Sequence, residues 1–80
     1  MTSFSKPVVF TRHARERMAD PGRGSVSEEE VLAVLANPGV SYVGVDGMQN
    51  VLGEINNKRL RVCYVEEADR FLVITVVNRR

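Results

Sequence analysis

The 80-residue chain has one cysteine and one histidine, and each scarcity removes a class of explanation. With Cys63 as the single thiol, no disulfide can close within the chain, which suits a reducing compartment. One Cys and one His cannot assemble a zinc site without carboxylates, so neither a metal nor another cofactor is expected. No apolar run approaches the ~20 residues that a membrane-spanning helix needs. The first residues also lack the apolar core of a signal peptide. The expectation is therefore a cytoplasmic domain without membrane contact. Lysine is scarce too, at two residues against nine arginines. Arginine is the better side chain for bidentate phosphate contacts and for stacking on bases, although a solvated arginine face needs no ligand.

What is present describes one folded unit. A hydrophobic share of 44% with 26% charge is that of a globular chain, and 80 residues have room for a single core, so residues 1–80 are read as one domain. Met1 to Pro7 reads as a loose polar leader. The net charge of +1 hides a partition. Residues 1–24 carry five cations against Glu16 and Asp20, and residues 57–80 carry six cations against three carboxylates. Between them, residues 25–56 carry five carboxylates and no Lys or Arg. If the two basic ends meet in the fold, they form one patch.

The pattern along the chain predicts an α+β fold: a short N-terminal strand, two helices, then a four-stranded antiparallel meander. Val8 to Phe10 reads as the strand. A first helix runs from Thr11, its cap, to about Ala19, and Asp20-Pro21-Gly22-Arg23-Gly24 ends it. Ser27 and Glu30 form a capping box, flanked by Val26 and Val31 as a hydrophobic staple, which starts a second helix over about Glu28 to Ala36. Strands follow at Ser41 to Val45, Met48 to Ile55, Leu60 to Val65 and Phe71 to Val77. Asp46-Gly47 signals a two-residue hairpin. In the third of these strands Leu60, Val62 and Tyr64 alternate with Arg59, Arg61 and Cys63, so one face is buried and one is wet. The last strand is apolar on both faces, as a central or covered strand would be.

The block Phe10-Thr11-Arg12-His13-Ala14-Arg15-Glu16-Arg17-Met18 concentrates the candidate chemistry. An imidazole, which titrates near neutral pH, and a permanent cation stand four residues apart on one side of a helix. That pairing suits phosphodiester cleavage without a metal. His13 would act as general base or acid, and Arg17 would stabilise the charge of the pentacoordinate phosphate. The bland alternatives are a surface histidine and an arginine held in a salt bridge. Tyr64 alternates with core residues and reads as packing. Cys63 reads as a buried, inert thiol.

Together with the capped acidic helix, the glycine-containing hairpins and the closing Val73-Ile74-Thr75-Val76, this block resembles a family of small bacterial and phage domains of unknown function, the DUF4258 type. The resemblance spans about Val9 to Val77. It implies similarity to the RelE/ParE toxins and the barnase–colicin group of nucleases, with metal-independent RNA cleavage as the working expectation. It also implies an antitoxin-like protein partner. On this resemblance His13 and Arg17 match the family's His and Arg, and Thr75 matches the polar residue of its last strand. The near-neutral net charge departs from the strongly basic toxins. The expected site is thus His13, Arg17 and Thr75 for catalysis, with Arg12, Arg61 and Arg79 on RNA. Whether Thr75 shares a face with Arg61 depends on a strand register that a single residue can invert. The alternative is a non-catalytic module whose sheet edge or groove binds a protein. Oligomeric state stays open.

Overall fold

The computed structural model describes residues 6–79, apart from the side chain of Arg23. The expected leader lies outside them through residue 5, as does Arg80. The element order is β1 (Val8–Phe10), α1 (Arg12–Ala19), a 3-10 turn (Pro21–Arg23), α2 (Glu28–Ala36), β2 (Val40–Val43), β3 (Gln49–Ile55), β4 (Lys58–Glu66) and β5 (Phe71–Asn78). This is the α+β fold that the pattern predicts. One sheet holds all five strands in the order β1-β5-β4-β3-β2. β2 to β5 form the antiparallel meander, while β1 pairs parallel with β5, Val8 opposite Phe71 and Phe10 opposite Val73. The sheet is therefore mixed, and β5 is an interior strand over its first residues.

Local chemistry accounts for the helix ends. The Thr11 side chain accepts the Ala14 N–H at 3.1 Å, and its own hydroxyl donates to the Ile74 carbonyl at 3.1 Å, so one residue starts α1 and pins it to β5. Ser27 accepts from the Glu30 N–H while Glu30 accepts from the Ser27 N–H, the reciprocal pair of a capping box. Val26 and Val31, the staple on either side, are both buried. Gly24, in the left-handed region at φ 81°, closes the 3-10 turn.

Two turns that look alike in sequence behave differently. Asn56 and Asn57 both take positive φ, 51° and 64°, and join Ile55 directly to Lys58 as a two-residue hairpin. At Asp46-Gly47 the two-residue hairpin does not form. Val43 pairs with Gln49, leaving a five-residue loop, Gly44 to Met48. Both common two-residue hairpin turns need positive φ at the first central residue, and here Gly47 has positive φ while Asp46 does not. Asp46 instead accepts the Met48 N–H at 3.0 Å through its carboxylate, which favours the wider loop.

Both helices cover one face of the sheet. Ala14 and Met18 of α1 and Val31 and Val34 of α2 join Phe10, Val26, Val51, Leu60, Val62, Val73 and Val76 in a single core. Val73 and Val76 are three residues apart, yet both point into it. Strict alternation forbids that. A bulge permits it: Cys63 pairs with Thr75 but Tyr64 pairs with Val73, so Ile74 is the extra residue. No helix of the described residues is long and apolar enough to cross a membrane.

Candidate nucleic-acid interface

The face of the sheet away from the helices carries the arginines. Leu60 and Val62 are buried toward the helices, so Arg59, Arg61 and Cys63 project from the other side. Arg61 sits between Leu52 of β3 and Val77 of β5. The ladder extends one residue past β5, where the Arg79 N–H donates to the Arg59 carbonyl at 2.6 Å. That bond sets Arg79 beside Arg59, two residues along from Val77. Arg59, Arg61 and Arg79 thus cluster at one end of the helix-free face. A groove of about 680 Å³ crosses this end, and Val40, Leu52, Glu54, Arg59 and Arg79 are among the residues lining it.

The cluster is under-neutralised. Arg59 meets Glu54 at 3.4 Å, with both side chains about three-quarters exposed, a pairing that water screens to little. Among the described residues neither Arg61 nor Arg79 has an ion-pair partner. The Arg61 Nε is buried and makes no hydrogen bond. A buried N–H without an acceptor is costly.

Thr75 shares this face with Arg61, because it pairs with Cys63, two residues along β4, and the bulge at Ile74 sets it opposite in facing to Val73. His13 and Arg17 stand in the other layer, on a helix whose Ala14 and Met18 point to the core. The sheet therefore separates Thr75 from the histidine–arginine pair, and the expected constellation of three is not assembled. His13 is exposed and Arg17 half-buried. Among the described residues neither side chain makes a hydrogen bond or ion pair, and the Arg17 backbone carbonyl accepts the Asp20 N–H at the end of α1. Because His13 supports nothing around it, His13→Ala should leave the thermal midpoint within about 4 °C of wild type, the range of an ordinary surface substitution. A larger fall in a calorimetric scan would make the histidine structural.

The expected single basic patch does not form either. Arg12 is almost fully exposed on α1 and lies 3.3 Å from Glu16. Arg15 reaches Glu28 at 2.8 Å and lies over the Phe10 ring. These cations belong to the helix layer, partly answered by the acidic start of α2, whereas Arg61 and Arg79 belong to the opposite face. Summed charge per segment carries no information about which side of a sheet each residue takes.

The far end of the helix-free face is not wet, contrary to the simple alternation. Asn50 and Cys63 are both buried there. The Cys63 thiol donates to Asn50 Oδ1 at 2.8 Å, and the Asn50 amide donates to the Met48 carbonyl at 3.1 Å, so the 44–48 loop lies against them. Burial pushes the Cys63 thiol above its usual range, outweighing the opposing pull of the Arg61 charge. A protonated, enclosed thiol is a poor nucleophile, which agrees with an inert cysteine. Tyr64 packs against the core, edge-on to Phe71 with centroids 6.0 Å apart.

The architecture is that of a small domain with two helices on one face of a five-stranded mixed sheet and an arginine cluster on the other. The chain belongs to the family described as a domain of unknown function, DUF4258, whose model matches residues 10–78. No curated protein and no solved structure shows significant similarity to it.

Proposed function

We propose that this domain binds RNA, and that it does so through the arginine-bearing, helix-free face of the sheet. The observation that carries this reading is the convergence of three arginines on one face, Arg59 and Arg79 lining a groove and Arg61 next along the strand, two of them without a carboxylate partner among the described residues. Three guanidinium groups at strand spacing suit successive phosphates of a nucleic-acid backbone, where planar, bidentate donors are favoured. The Thr75 hydroxyl, on the same face, adds a donor and acceptor suited to a ribose or phosphate oxygen. The similarity to RelE/ParE-type toxins that the family resemblance implies points in the same direction. On this reading the activity is binding, since Thr75 and the His13–Arg17 pair lie on opposite sides of the sheet and His13 has no neighbour to orient it.

Anisotropy titration of a fluorescein-labelled single-stranded RNA tests the proposal. Three phosphate contacts should give a slope of about −2 in log affinity against log salt, and each Arg→Ala change should flatten it by about 0.7. Arg61→Ala and Arg79→Ala should weaken binding, whereas His13→Ala should not. No binding by the wild type at low salt would overturn the reading and favour a protein-binding module. RNA cleavage in chelator that vanishes in His13→Ala would instead return catalysis to the helix layer.

A further inference from the structure

Four of the five large apolar side chains exposed on the described surface lie within six residues: Val40, Tyr42, Val43 and Val45. They belong to β2 and the loop that follows it. β2 is an edge of the sheet, hydrogen-bonded only to β3. Natural edge strands are usually guarded by lysine, proline, a bulge or an inward charge. Residues 40–45, Val-Ser-Tyr-Val-Gly-Val, contain none of these, and the β2–β3 pairing is regular.

We propose that β2 is a dimerisation strand, and that its occupant is β2 of a second copy of this chain. The backbone supplies the geometry. Gly44 donates its N–H to Met48 within the hairpin at 2.9 Å, so by strand alternation Ser41 and Val43 turn their N–H and C=O groups outward. An antiparallel two-fold pairing centred on Tyr42 sets each Ser41 opposite a Val43 and forms four backbone hydrogen bonds. It places the two Tyr42 rings side by side on the helix-free face, at the close spacing of a non-hydrogen-bonded pair. Val40 then faces Gly44, where no side chain obstructs it. The edge is self-complementary, as a two-fold interface requires. It also carries no charge, so two copies meet without repulsion and nothing on it selects a charged peptide or a phosphate. The inference does not rest on RNA binding, although Val40 belongs both to the β2 edge and to the groove beside the arginines.

Sedimentation equilibrium of the full chain tests it. The apparent mass should rise from one chain toward twice that value with concentration, with little dependence on salt because no charges pair. Tyr42→Lys brings two like charges together at the two-fold axis and should abolish the dimer, while Tyr42→Phe should keep it. Amide exchange at Ser41 and Val43 in the wild type should slow as concentration rises, a readout that needs no variant. A wild type that stays monomeric up to ~1 mM, the weakest affinity worth assigning, would overturn the proposal. So would a folded Tyr42→Lys chain that dimerises as well as wild type.

Discussion

Replacing Glu30 with alanine is expected to lower the thermal midpoint by about 10–20 °C, corresponding to about 2–3 kcal/mol in a domain of this size. The carboxylate is 9% exposed and accepts from three donors: Lys58 Nζ at 2.8 Å, the Asn56 amide at 2.9 Å and the Ser27 N–H at 3.0 Å. Lys58 Nζ also donates to the Ser25 carbonyl at 2.7 Å. One side chain thus ties the start of α2 to the loop before it and to the β3–β4 turn. Its removal deletes half of the capping box and leaves Lys58 without its counter-charge. The Lys58 hydrogen bond, then those of Asn56 and Ser27, hold the Glu30 carboxyl down at about 2 against an ordinary value of 4.5. A carboxylate depressed in the folded state stabilises fully above about 4.5 and loses that contribution as pH falls toward 2. With a quarter of the Lys58 side chain exposed, solvent screening reduces the pH-dependent part to about 1–2 kcal/mol. Urea titrations from pH 6 to pH 2 should show that loss in wild type and a flatter profile in Glu30→Gln. Equal slopes in the two proteins would sink the assignment.

The second large effect is expected at Gly53, where β3 passes under α2. A Cβ added there would lie 2.9 Å from Val34 Cγ1 and 3.5 Å from its Cβ. Val34 is buried and, being β-branched, has almost one rotamer available in a helix. It cannot swing aside. Gly53→Ala should therefore cost about 1–3 kcal/mol through overpacking, despite alanine's smaller loss of backbone entropy. Val34→Ala alone should also destabilise, by leaving a void. Combined, the two changes should cost less than their sum, because the new methyl enters the space the valine vacated. Additive losses in chemical denaturation would show that the close approach is not what requires glycine there.

How much of this was legible in the chain depends on the range of the interactions involved. Helix starts were legible because caps act over three residues: Thr11 onto Ala14, and Ser27 with Glu30. Turn chemistry read over two residues fails at Asp46-Gly47, where the aspartate carboxylate prefers a bond to Met48 over a left-handed backbone. The parallel pairing of β1 with β5 joins residues 63 apart, and no local pattern encodes a partner at that distance. The candidate site divides in the same way. Alternation along β4 put Arg59 and Arg61 on one face, but only the ladder to β5 brought Arg79 beside them.

The sequence by itself determined the elements, their order, the antiparallel meander and the apolar stripes of the core, since these follow from periodicity, capping and turn chemistry within a few residues. Tertiary structure alone decided which cations share a surface. A single bulged residue, Ile74, sends Thr75 to the side of Arg61 and away from His13. Because side chains alternate every residue along a strand, one extra residue inverts everything beyond it. That inversion costs little locally, and the long-range packing of Val73 and Val76 against the helices selects it.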